Sequence, residues 1–232
     1  MNVKTAIVVV CIGAFGTLGA ATAHAQVVRV QPGLVERVMP DFSLSGLDGR
    51  VVALSRLKGR AVIIVFPRGK VAEADGSDPH WCQLCHYQYA ELAELEKTTS
   101  FRTALKVEVL FVLPYGREEA KEWASIIPKQ VATVDRWRQQ VKAWRDLLPG
   151  PVTFTNGPGA TPFPILCDAD QAVSKRLGLF TLDWDHAKVE QNVPTVFIVD
   201  RSGVIRFKYT SQNTFDRPSA SYLVQVVQRL VD

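Results

Sequence analysis

The chain has 232 residues, 47% hydrophobic and 22% charged, which is ordinary for a globular protein and long enough for one domain with insertions. Its formal net charge of +4 is too small to point to nucleic acid as a partner.

The first 25 residues read as an export signal. Lys4 supplies a positive start, Ala6 to Leu18 is an apolar run, and Ala23-His24-Ala25 offers small residues for cleavage before Gln26. The run is short against the ~20 residues a membrane span needs. Cleavage after Ala25 is the expectation, with membrane attachment only if the segment stays uncleaved. The expected location is periplasmic or secreted, where a disulfide can persist. Cys11 lies inside the apolar run, which leaves Cys82, Cys85 and Cys167 for the exported protein. An odd count leaves at least one thiol unpaired or reactive.

Gln26 to Met39 reads as an N-terminal arm. Pro40-Asp41-Phe42-Ser43-Leu44 alternates like a short strand, and Asp48-Gly49 signals a turn into Val51-Val52-Ala53-Leu54. Ala61 to Phe66 is unbroken, apolar and rich in β-branched residues, the pattern of a strand buried on both faces. Pro67 to His80, with two glycines and two prolines, reads as a loop. Gln83 to Lys97 has no Gly or Pro and a helical composition. Val107 to Leu113 is a second buried strand. Residues 117–149 look helical, with Val134, Trp137, Val141, Trp144 and Leu148 recurring at spacings of three and four. Packing on the core is the expected use of that stripe, ahead of docking a partner. Gly150 to Pro164 is a connector. Pro164 to Cys167 reads as a strand, Ala169 to Leu179 as a helix, and Val193 to Asp200 as a strand turning at Arg201-Ser202-Gly203 into Val204 to Tyr209. Ser219 to Val231 closes the chain as an amphipathic helix. This order predicts an α/β fold with a mixed central sheet flanked by helices.

Trp81-Cys82-Gln83-Leu84-Cys85-His86 carries the chemistry. Two thiols two residues apart can close and reopen a small disulfide, a two-electron switch. Cys85, Gln88, Leu92 and Leu95 share one helical face, so Cys85 points inward. Cys82 falls at the first turn, near unpaired N–H groups and the positive end of the helix dipole. Thiols so placed have pKa values of ~3.5–7.5 against ~8.5 when free. Cys82 is therefore expected to attack and Cys85 to resolve.

Several segments resemble the thioredoxin-like superfamily, in its redoxin branch. That branch contains the alkyl hydroperoxide reductase/thiol-specific antioxidant (AhpC/TSA) proteins and the exported TlpA-type disulfide reductases. Pro40 to Leu44, Asp48-Gly49 and Leu57-Lys58-Gly59 are similar to the redoxin opening, and Trp81-Cys82-Gln83-Leu84-Cys85 to the thioredoxin active site. Val193-Pro194-Thr195, followed by Phe197 to Asp200 and Gly203, is similar to the segment where the fold sets a cis-proline beside the disulfide. The likeness spans 40–232, with 117–163 as a helical insertion and connector. It implies Cys82 as nucleophile, Cys85 as resolving thiol, Pro194 as a seat for a partner's backbone and Trp81 as a shield.

The chain also departs from the family. Asp75 and Pro79 stand where a peroxiredoxin has its site proline and its threonine or serine, Pro194 stands in place of the site arginine, and an apolar residue near Val65 replaces thioredoxin's buried acid. Phe66-Pro67-Arg68-Gly69 is similar to redoxins with Arg-Gly before Trp-Cys, but a longer loop intervenes.

Two rival readings use the same residues. Cys82 to His86 fits the CxxCH haem-attachment pattern, with Met39, His80 or His186 as a further ligand. His80, Cys82, Cys85 and His86, with Cys167 and His186, offer donors for copper(I) or zinc, but no second Cys-x-x-Cys or His pair completes a site. Cys167 reads as a buried residue at a strand end. The expectation is an exported thiol–disulfide oxidoreductase exchanging disulfides with client proteins and recharged by a thiol-based reductant, without cofactor or metal. A redoxin-type thiol peroxidase is the alternative.

Overall fold

The computed structural model describes residues 33–72, 79–148, 150, 152–154 and 161–231. The expected leader, Cys11, the first part of the arm and Asp75 lie outside them.

β1 (Ser43–Gly46) and β2 (Val51–Ala53) form the hairpin expected around Asp48-Gly49. Gly49 takes φ +82, and Asp48 Oδ1 accepts the Arg50 N–H at 2.9 Å. β3 (Ala61–Phe66) follows, then the short strands β4 (Lys70–Val71) and β5 (His80–Trp81), α1 (Gln83–Thr99) and α2 (Phe101–Leu105). β6 (Val107–Leu113) leads to α3 (Arg117–Ser125), α4 (Ile127–Gln140) and α5 (Lys142–Leu147). β7 (Ile165–Cys167), α6 (Ala172–Arg176), β8 (Phe180–Thr181) and β9 (Gln191–Asn192) come next. β10 (Thr195–Val199), β11 (Ile205–Thr210) and α7 (Ala220–Val231) complete the described chain.

The main sheet has seven strands in the order β11-β10-β3-β6-β7-β1-β2. β3, β6 and β7 run parallel, and the flanking pairs are antiparallel. β3 is buried throughout because it feeds both faces. Ile63 and Val65 pack with α1, α4 and α7, while Val62, Ile64 and Phe66 pack with Val173, Leu177 and Met39 on the other side. This alternation is why its sequence is apolar without a period. α1 is likewise buried from Leu84 to Ala90 on nearly every side, wedged between sheet and helices. Among the described residues no helix is long and apolar enough to cross a membrane.

Several elements differ from expectation: β4 and β5 form in and at the end of the segment expected as a loop, and α2, β8 and β9 were not anticipated. The helix expected over 169–179 is shorter. Asp168 accepts the N–H groups of Val173 and Ser174 at 3.1 and 2.8 Å, and Gln171 at φ +57 delays its start. The stripe from Val134 to Leu148 is not one continuous helix face. Val141 is extended (φ −124, ψ 121) and 45% exposed, which separates α4 from α5. Arg145 donates to the carbonyls of Arg138 and Gln139 at 3.0 and 2.9 Å, satisfying acceptors freed where α4 ends. Trp137 and Trp144 still pack against the core, with ring centroids 5.0 Å apart.

Candidate active site

The loop between β3 and α1 is closed by its own ladder. Lys70 pairs with Trp81 and Val71 with His80, and the Cys82 N–H donates to the Gly69 carbonyl at 2.9 Å. Arg68-Gly69 is thereby set directly against Trp81-Cys82, although many residues separate them in sequence. Gly69 has φ +87, and a Cβ there would strike the Tyr115 ring, so the close approach needs glycine. The Tyr115 hydroxyl accepts the Lys70 N–H at 2.8 Å and donates to the Glu190 carbonyl at 2.6 Å. Its ring meets Trp81 edge-on at 5.2 Å, and the Lys70 ammonium lies over both rings. Trp81 is itself buried.

Cys82 is the N-cap of α1, and Cys85 lies in its first turn. Both are only 1% exposed, as free thiols in contact with one another. The donors converge on Cys85. Its sulfur accepts the Arg68 N–H at 3.3 Å and the Gly69 N–H, and Arg217 Nη2 lies 4.0 Å away. Burial alone would push the Cys85 thiol up, but the Cys82 hydrogen bond, the Arg217 guanidinium and these two N–H groups reverse it and hold it at about 5. Cys82 moves the other way, raised by its hydrogen bond to Cys85, by burial and by the charge on Cys85. The donors therefore gather on Cys85 and not on Cys82 at the helix start. The Cys82 side chain makes no capping hydrogen bond, and the donors on Cys85 are brought in from elsewhere in the chain.

Arg68 is the hub beneath the pair. It is 1% exposed, donates to Gln191 Oε1 at 2.6 Å, to Thr214 Oγ1 and to the Trp184 carbonyl at 2.9 Å, and stands 3.8 Å from Asp185. Asp185 and His186 take positive φ to turn this segment under it. The sequence hinted at Arg68 through Arg68-Gly69 after a buried strand. Nothing local marks Arg217, which is remote from Cys85 along the chain.

Pro194 is buried and precedes β10, one residue beyond the Thr195–Phe66 pair and so on the side of Arg68. Its carbonyl accepts the Ser211 N–H at 2.9 Å. The cis bond expected at Pro194 is absent, since every peptide among the described residues is trans. Cys167 sits half-buried at the end of β7, its thiol pushed up chiefly by burial.

The CxxCH reading fails on geometry. Both His86 ring nitrogens face carbonyl oxygens, Nδ1 that of Cys82 at 2.9 Å and Nε2 that of Trp123 at 3.0 Å, and the ring stacks on Trp123 at 4.4 Å. Met39 packs on the opposite face of the sheet from the cysteines. Among the described residues no three His, Cys, Asp or Glu side chains converge to hold a metal ion.

A cavity of about 460 Å³ opens beside the pair, lined in part by Leu84, Gln88, Glu91, Phe215, Arg217 and Tyr222. Arg217 thus stands between this groove and the Cys85 sulfur.

Residues 35–208 match the AhpC/TSA family, and the chain belongs to it. Its fold is that of the peroxiredoxins and their thioredoxin-like kin. The C45S mutant of peroxiredoxin 6 of Arenicola marina is 13% identical, with a TM-score of 0.55 over 84% of this chain and 72% of that one. AhpC of Enterococcus faecalis is 14% identical, with a TM-score of 0.54 over 85% and 92% of the two chains. Reduced 2-Cys peroxiredoxin of Plasmodium vivax is 14% identical, with a TM-score of 0.51 over 86% and 82%. No curated protein sequence matches the chain.

Proposed function

We propose that this redoxin oxidoreductase works through the Cys82–Cys85 dithiol, exchanging disulfides with client proteins in an exported compartment. The reading rests chiefly on one observation: two hydrogen-bonded thiols in one helical turn, with donors gathered on the Cys85 sulfur. A dithiol so placed can give two electrons to a disulfide and close on itself with little movement of the backbone. Pro194 and Trp81 would border the incoming chain, and a thiol-based reductant would reopen the pair. No organic cofactor is required.

Peroxide is the second oxidant to weigh, and two features favour it. Both cysteines are 1% exposed, which suits a small oxidant better than a folded client. Arg217 supplies, from before α7, a guanidinium beside the reactive sulfur that the sequence had seemed to lack because Pro194 stands in place of the family's arginine. With peroxide the pair would lose two electrons, the O–O bond would break, and water and an alcohol (or a second water) would leave.

Insulin reduction with a dithiol donor, run beside peroxide consumption, tests the proposal. Wild type is expected to turn over at least one oxidant, and Cys82→Ser and Cys85→Ser to abolish steady-state turnover. Full activity of either variant would refute a dithiol mechanism.

A further inference from the structure

We propose that a groove along α1 seats an extended, basic segment of the client protein, with an apolar side chain against Leu147, Phe215 and Tyr222 and a lysine or arginine at Glu91. This rests on the disulfide-exchange reading above and names the client chemistry that the site selects. The surface differs from the one Pro194 and Trp81 would border, since neither residue lines the groove.

The groove is built on one face of α1. Leu84, Glu91 and Thr98 recur every two turns and so lie in line. The cavity of about 460 Å³ beside the pair takes in Leu84 and Glu91, and a second of about 470 Å³ continues from Glu91 to Thr98. From Leu84 to Thr98 the helix rises about 21 Å, which an extended chain covers with roughly six residues. Hydrogen peroxide would occupy a small part of that length, whereas a polypeptide strand would use all of it. The other walls come from the start of α7 and from the end of α5, so the helical insertion supplies part of the site. Leu84 lies between the two cysteines in sequence, and Arg217 stands 4.0 Å from the Cys85 sulfur. That end of the groove is where the client's cysteine enters.

The side chains on the walls define what fits. Leu147, Phe215 and Tyr222 line the first cavity and are 47%, 46% and 46% exposed, large apolar surface left half open beside the reactive pair. Among the described residues the charged lining is Glu91, Glu94 and Asp146 against a single guanidinium, Arg217. Arg217 is held at the cysteine end by Ser211 Oγ at 3.0 Å and by the carbonyls of Asn213 and Asp216 at 3.1 and 2.8 Å. Asp146 is bridged by the exposed Lys142. Glu91 stands where the two cavities join. It is half-buried, its carboxylate accepts the Ala220 N–H at 3.0 Å, and no cation pairs with it among the described residues. Burial raises its pKa to about 7, so the fold leaves this charge uncompensated. A cation carried in by the client compensates it, which favours a basic segment over an acidic one. Glu91 follows Cys85 by less than two turns, about 9 Å of rise, so the basic residue sits about three residues from the client's cysteine.

Short fluorescein-labelled peptides with serine in place of the cysteine test the groove without chemistry. The parent carries valine beside the serine and lysine three residues on, and its variants replace the lysine by glutamate or the valine by serine. With the reduced full chain, fluorescence anisotropy should show the lysine peptide binding about tenfold tighter than the glutamate peptide, and loss of the valine should weaken binding. Glu91→Gln, which keeps an acceptor for Ala220, should bring the lysine-to-glutamate ratio close to one, and Glu91→Lys should invert it. Leu147→Ser should remove the preference for valine and keep that for lysine. Equal binding of the lysine and glutamate peptides, or a lysine preference that persists in both Glu91 variants, would overturn the proposal. The same peptides with cysteine, presented as mixed disulfides, should be reduced in the same order of kcat/KM. Selective binding without reduction would keep the groove and refute the disulfide-exchange reading, while reduction of every peptide at one rate would keep that reading and refute the groove.

Discussion

Glu91, on the face of α1 toward α7, is half-buried, and its carboxylate accepts the Ala220 N–H at 3.0 Å. Burial raises its pKa to about 7, and the Ala220 hydrogen bond only partly offsets this. A raised folded pKa means the carboxyl costs nothing below its unfolded value of ~4.3 and destabilises the fold as pH climbs through 7. Glu91→Gln, which keeps an acceptor for Ala220, should match wild type near pH 4.5 and be more stable by on the order of 2–3 kcal/mol at pH 8.5. Urea unfolding of both proteins at the two pH values checks this, and an equal difference at both would reject it. The cysteines teach the same lesson about residues. Their spacing made the redox pair visible in the sequence. Which of them gathers the donors was not visible, because those donors are Arg68 and Arg217, and the latter sits more than a hundred residues away.

At the scale of elements, the β4–β5 ladder is what reconciles the long loop with a compact site. Lys70–Trp81 and Val71–His80 pairing returns the chain to Gly69 after its excursion. Replacing residues 73–78 with Asn-Gly, which favours a tight hairpin turn, should therefore leave dithiol turnover within about twofold of wild type. A collapse of turnover would mean that the replaced residues, not the ladder, support the pair. Most elements were legible from composition. β3, β6 and α1 fall where their apolar runs and helix formers place them. The single stripe over 134–148 was misread because Val141 breaks the helix with no Gly or Pro to announce it, and side-chain bonds from Arg145 stabilise the break.

The whole molecule is a mixed sheet whose central strands are buried on both faces and whose edges are β11 and β2. β3 and β6 exchange hydrogen bonds along five paired residues and carry both cores, whereas β2 is short and half exposed. Opening free energies follow such contact density. Native-state hydrogen exchange should be slowest in β3 and β6 and fastest in β2, with β11 between. Early exchange of β3 would contradict the central role given to it here. From the sequence alone came the principal strands and helices in chain order and the Cys82–Cys85 pair, because hydrophobic period and cysteine spacing are local properties, while the redoxin fold came from the resemblance of its motifs to a known family. Only the tertiary structure decided that both thiols are buried, that Pro194 is trans, that His86 has no free ring nitrogen and that Cys85 lies among the donors. Those depend on groups the chain brings together from remote positions, and no local pattern records which charges will meet once the sheet closes.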